Sequence, residues 1–122
     1  MGKHTIAHVE IPANDLKAAG QFYHDVFGWK INHLPEMNYT TFDPDDTKSP
    51  GGGFMPVSDE SPVGKILVHI HTDDINATLQ QIVDCGGEVV LQRTEIPGIG
   101  WYAIFKDPTG NDLGLYEPLV KT

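Results

Sequence analysis

The feature that most limits how this chain can fold is a repeat. The segment His8-Val-Glu-Ile-Pro-Ala-Asn-Asp-Leu16 leads into a helical stretch ending at Val26-Phe27-Gly28-Trp29, and Leu67-Val-His-Ile-His-Thr-Asp-Asp-Ile75 leads into another ending at Cys85-Gly86-Gly87. Setting Asp15 on Asp74 also aligns Ala18 with Ala77, Gln21 with Gln80, Asp25 with Asp84 and Gly28 with Gly87, five identities at one offset. A fixed offset with a matching element pattern marks an internal duplication, so the chain should be one small module used twice.

Each copy reads strand, helix, three strands. Alternating apolar residues predict strands at Ile6 to Ile11 and Ile66 to Thr72. Asn14 and Asp73 are placed as N-caps. Leu16, Ala19, Tyr23, Val26 and Phe27 fall on one helical face, as do Ile75, Leu79 and Ile82. Gly28 and Gly86-Gly87 supply left-handed stops. The following strands are expected at Trp29–Leu34, Asn38–Phe42 and Gly53–Val57, then at Glu88–Gln92, Trp101–Lys106 and Asp112–Tyr116. Turns are expected at Pro44-Asp-Asp, Pro97-Gly and Asp107-Pro-Thr-Gly. The whole, 1–122, is one α+β domain of two modules, 1–57 and 66–119, joined by a linker at 58–65.

A β-α-β-β-β module in tandem, with Phe22-Tyr23 and Phe27-Gly28-Trp29 in the first helix and Asp107-Pro-Thr-Gly-Asn111 before the last strand, resembles the vicinal oxygen chelate superfamily. Glyoxalase I, bleomycin-resistance proteins, fosfomycin-resistance enzymes and extradiol dioxygenases belong to it. The resemblance covers nearly the whole chain and implies a curved eight-stranded sheet around a concave cavity, in a homodimer. It also implies a divalent metal held by residues of the first and last strands of each module. Carried over position by position, the first ligand is His8, its counterpart is Leu67, the last-strand Glu falls on Gly114, and the remaining position lies in Gly51-Gly-Gly-Phe-Met55. One ligand of four survives, whereas a catalytic divalent site needs about three protein ligands and an open position.

Strand alternation sorts the remaining residues. If His8, Leu67 and Gly114 face the cavity, so do Ile6, Glu10, His69, His71, Asp112 and Tyr116, and the opposite set (Ala7, Val9, Ile11, Val68, Ile70, Leu113, Leu115) is wholly apolar. Three readings follow. The polar residues line a metal-free pocket, with Gly114 making room for a small organic ligand. Alternatively His8 and His69 with Glu10 or Asp112 form a displaced site for Zn, Ni, Fe or Mn. Or they are solvated polar residues in a wet cavity. His71 reads as positional, and His4, His24 and His33 as surface residues.

Other features are weaker. Gly51–Gly53 lacks the Lys-Ser/Thr and helix of a phosphate loop and suits a close-packed strand start. The loop Ile96-Pro-Gly-Ile-Gly100 leads to Trp101 and Tyr102, either rim aromatics that stack on a flat ligand or core residues beside a plain turn. Cys85 reads as a small buried residue, and a single cysteine allows no internal disulfide, which suits the cytoplasm. The N-terminus shows no apolar signal core. Seventeen acids against eight bases give a net charge of −9, which disfavours nucleic acid and anionic membranes.

The expected function is therefore binding of a neutral or cationic small molecule by His8, Glu10, His69, Trp101 and Tyr116, with no cofactor. The alternative is a metal-dependent lyase or isomerase, or a dioxygenase, using His8, His69 and Asp112 as ligands and Glu10 as the proton-moving carboxylate. A glutathione adduct is a poor match, since its carboxylates want basic partners and the chain offers Arg93 and scattered lysines. A non-catalytic interaction domain is the third class.

Overall fold

The computed structural model describes residues 4–44 and 49–120. Asp45 and Asp46 of the expected Pro44 turn lie outside them. In chain order the elements are β1 (Ile6–Ala13), α1 (Leu16–Phe27), β2 (Lys30–Leu34), a short 3-10 turn (Pro35–Met37), β3 (Tyr39–Asp43), β4 (Gly51–Pro56), β5 (Leu67–His71), α2 (Ile75–Asp84), β6 (Glu88–Ile96), β7 (Gly100–Lys106) and β8 (Asp112–Pro118). The α+β class and the twofold β-α-β-β-β order are as the repeat predicts. No helix among the described residues is long and apolar enough to cross a membrane.

The chain divides into two compact units, His8–Leu67 and residues 4–7 with 68–120. In the first, the strands run in the order β2-β3-β4-β1, with β1 parallel to β4 and the other pairs antiparallel. In the second the order is β5-β8-β7-β6, with β5 parallel to β8 and the rest antiparallel. Residues 4–7 join this second unit through the amide of His71, which donates to the Thr5 carbonyl at 2.8 Å.

The aligned identities make identical bonds in the two copies. Asp15 accepts from the Ala18 amide at 3.1 Å and Asp74 from the Ala77 amide at 3.1 Å. Gln21 donates to Asp25 at 2.7 Å and Gln80 to Asp84 at 3.0 Å. The caps are thus Asp15 and Asp74, one residue later than Asn14 and Asp73. They are the last extended residues before each helix (φ −134° and −151°), and only from there does a short carboxylate reach the free N–H groups.

The first core is aromatic. Phe54 and Phe42 are buried, and Tyr23 and Trp29 stack over them, with Trp29 and Phe42 centroids 4.6 Å apart. Gly20 lets α1 approach β2 closely, since a Cβ there would meet the Ile31 side chain at 2.8 Å. That approach rolls the inward seam to Leu16, Ala19, Gly20 and Tyr23, and it leaves Val26 and Phe27, expected on the buried face, largely exposed. The second core is aliphatic: Ile75, Leu79, Ala103, Phe105 and Leu115, flanked by Ile70, Ile82, Val89, Trp101 and Leu113. Cys85, expected to be buried, is exposed at the C-cap of α2.

Candidate functional site

In the first unit, parallel pairing sets His8 against Gly51 and Glu10 against Gly53, and Gly53 lies opposite Thr41 of β3. Side chains alternate along each strand, so His8, Glu10 and Tyr39 share the face turned away from α1. Phe42 and Phe54 occupy the other face.

These three residues form one hydrogen-bonded chain. The Tyr39 hydroxyl donates to Glu10 Oε2 at 2.9 Å. A phenol has one proton, so at the 2.7 Å contact between the same oxygen and His8 Nε2 the imidazole N–H donates. The His8 and Tyr39 rings lie 18° from parallel. Burial, and then the charge and hydrogen bond of Glu10, push the Tyr39 phenol well above its ordinary range, because ionising it would place two anions side by side. Tyr39 is therefore a neutral donor at any physiological pH.

Gly53 is what admits this ring. A Cβ built on Gly53 would collide with the Tyr39 ring and its hydroxyl. Beside Tyr39 opens a groove of about 530 Å³ whose walls include Asp15, Lys17, His33, Pro35 and Asn38.

The second unit repeats the arrangement with other residues. His69 pairs with Gly114 and His71 with Tyr116. His69 is buried, and a Cβ on Gly114 would strike its imidazole. The space at Gly114, expected to admit a ligand, holds the His69 ring. Tyr116 donates to the Ile99 carbonyl at 3.3 Å, tying β8 to the β6–β7 turn, and receives the His71 ring edge-on. Asp112 accepts from Lys106 at 2.7 Å.

Trp101 is not a rim residue of this face. It pairs with Glu117 and flanks the aliphatic core, since residues two apart on a strand share a face and Trp101 goes with Ala103 and Phe105. The aromatic on the side of Tyr116 is Tyr102. Glu117, the residue opposite Trp101, is a buried carboxylate on the helix side. It accepts from the first α2 amide, Ile75, at 2.9 Å and pairs with Arg93 at 3.1 Å, whose guanidinium lies 4.0 Å above the Trp101 ring.

Two site residues, Tyr39 and Glu117, escaped the sequence reading. Continuing the face alternation into the second strand of the module would have found Tyr39. For Glu117 the signal was its parity with Leu113 and Leu115.

The residues fit the superfamily's metal poorly. His8 Nε2 is bonded to Tyr39, Leu67 is buried, Gly114 at the expected Glu position is overlaid by His69, and Gly53, within Gly51–Met55, is overlaid by Tyr39. Among the described residues no three His, Cys, Asp or Glu side chains are grouped as a metal's ligands are.

Residues 5–43 match the family described as Bleomycin resistance protein-like N-terminal. The chain is 30% identical over 112 residues to a glyoxylase-like domain-containing protein of Didymella fabae, covering 87% of this chain and 88% of that one. It is also 30% identical to the anthracycline biosynthesis protein DnrV of Streptomyces peucetius over 85% of this chain, but spans only 43% of that longer protein. Among solved structures, methylmalonyl-CoA epimerase from Mycobacterium tuberculosis superposes with a TM-score of 0.74 at 19% identity, over 95% of this chain and 89% of that one. The chain belongs to the vicinal oxygen chelate superfamily, among its glyoxalase-like and bleomycin-resistance-like proteins.

Proposed function

We propose that the chain is a cytoplasmic, homodimeric binding protein that holds a neutral or cationic organic molecule on the face bearing His8, Glu10 and Tyr39, without a divalent metal there. The carrying observation is the Tyr39 phenol, which rests on Gly53 and engages His8 Nε2, one of the two ring nitrogens able to hold a metal. What this face offers is a carboxylate with its hydrogen-bonded chain, and the surrounding protein is strongly acidic. Both favour a ligand carrying N–H, O–H or ammonium groups over a phosphate or carboxylate ester. The exposed Phe22, Val26 and Phe27 of α1 support a self-association surface.

Calorimetry on untagged protein tests this with bleomycin, an amine-bearing anthracycline and methylmalonyl-CoA as probes, in chelator and then with added Zn, Ni, Mn or Fe(II). Binding of a cationic probe that persists in chelator and weakens at least tenfold in Glu10→Ala, about 1.4 kcal/mol, supports the reading. Binding or turnover that requires a stoichiometric metal overturns it and favours the second reading, a metal-dependent lyase or isomerase. That second reading is favoured by the glyoxylase-like name of the Didymella fabae relative.

A further inference from the structure

We propose that the second unit carries a stacking site for a planar aromatic cation, formed by His71, Tyr116 and Tyr102 on the sheet face turned away from α2. All three belong to that unit, and none is part of the His8, Glu10 and Tyr39 face on which the function proposed above rests.

The register sets the three rings in one row. His71 pairs with Tyr116, and Tyr116 with Tyr102, so they stand at one level on β5, β8 and β7. Alternation along β7 sends Trp101, Ala103 and Phe105 to the α2 side and Tyr102 to the opposite face. Adjacent strands lie about 4.8 Å apart, which makes the row roughly 10 Å wide, enough to carry three fused rings. All three residues are half-buried, so each keeps part of its surface open.

The protein itself uses only part of this row. His71 meets Tyr116 edge-on at 5.4 Å, and the Tyr116 hydroxyl donates to the Ile99 carbonyl at 3.3 Å. Tyr102 has neither a ring contact nor a side-chain hydrogen bond among the described residues. Aromatic residues paired directly across two strands ordinarily pack together, but Tyr102 and Tyr116 do not. Gly100, next to Tyr102 on the same face, has no side chain to cover the ring. A flat ligand supplies the contact that the two phenols do not make with each other, by offset stacking on both.

Charge decides which flat ligand. Residues 68–120 contain eight acids and two bases, and both bases are paired, Arg93 with Glu117 at 3.1 Å and Lys106 with Asp112 at 2.7 Å. An anion on this face finds no unpaired Lys or Arg among them. A cation is drawn by the excess of carboxylates and by the electron-rich faces of the phenol rings.

Fluorescence titration of the full-length protein tests this with two probes, proflavine, a tricyclic cation, and anilinonaphthalene sulfonate, an aromatic anion. Proflavine should bind, and the anion should bind about tenfold more weakly or not at all. Tyr102→Ala should weaken proflavine about tenfold or more, whereas Tyr102→Phe, which keeps the ring, should stay within about threefold of wild type. Circular dichroism of the two variants, whose altered ring packs on no other, should match wild type. No binding of proflavine, equal binding by wild type and Tyr102→Ala, or an anion held as tightly as the cation overturns the proposal. Glu10→Ala keeps the two sites apart: proflavine lost in Glu10→Ala and retained in Tyr102→Ala overturns the stacking site and leaves the function proposed above standing.

Discussion

The phenol ring of Tyr39 lies where any side chain on Gly53 would have to go. The same relation holds between His69 and Gly114. Gly114, where the family pattern has a Glu, and Gly53, at the matching register of the first module, are thus each covered by a neighbouring ring. Supplying the carboxylate again should therefore crowd the sheet instead of rebuilding a metal site. Gly53→Glu and Gly114→Glu are each expected to cost about 1–3 kcal/mol from overpacking, measured by chemical denaturation, with no gain in metal affinity.

Tyr39 should resist ionisation. Its phenol is raised from 10.0 by burial and by Glu10, so phenolate absorbance in the native state should lack one of the chain's four tyrosines as pH passes the ordinary range. Tyr39→Phe should leave that native titration unchanged. The folded protein holds a proton that the unfolded chain releases, so stability is fully present below pH 10 and declines above it. Denaturation at several alkaline pH values should show a shallower decline in Tyr39→Phe than in wild type.

Glu117 anchors the second unit. Its buried carboxylate serves the α2 N-terminus and Arg93 together. Glu117→Ala strands both partners and should cost about 3–5 kcal/mol. Arg93→Ala should cost clearly less, because the Ile75 amide remains to hold the carboxylate and Arg93 is partly exposed. A double-mutant cycle by urea denaturation measures the coupling.

The turn before β8 should weaken in acid. Asp107 is held below its ordinary range by hydrogen bonds from Asn111 above all, and then from Gly110 and Thr109. A depressed carboxylate stabilises the fold above its unfolded value and ceases to do so as pH falls through the folded one. Asp107→Ala should lower the thermal midpoint at neutral pH, and the gap from wild type should close below pH 4.

The duplication was legible because it rests on local chemistry. Caps, Gln–Asp pairs and glycine stops are set within one helical turn, so Asp15 and Asp74 or Gln21 and Gln80 repeat visibly along the chain. Face assignments on β1, β5 and β8 followed from alternation alone. What failed depended on contacts between elements. The roll of α1 that exposes Val26 and Phe27 comes from Gly20 meeting Ile31. Trp101, read as either a rim aromatic or a core residue and counted among the ligand-binding candidates, packs on the core, and it is the register with Glu117 that decides this. Tyr39 gains its role from bonds to residues 29 and 31 positions away, a spacing to which no local motif points.

His8, at a position that resembles a metal ligand's, is joined to Tyr39 and through it to Glu10, and the metal-free reading of this face is open to direct test. Elemental analysis of untagged protein, equilibrated with Zn, Ni, Mn and Fe(II) and then desalted, tests it most directly. The account predicts well under one equivalent of any metal, unchanged in His8→Ala. One equivalent of a single metal, lost in His8→Ala or His69→Ala, would contradict it.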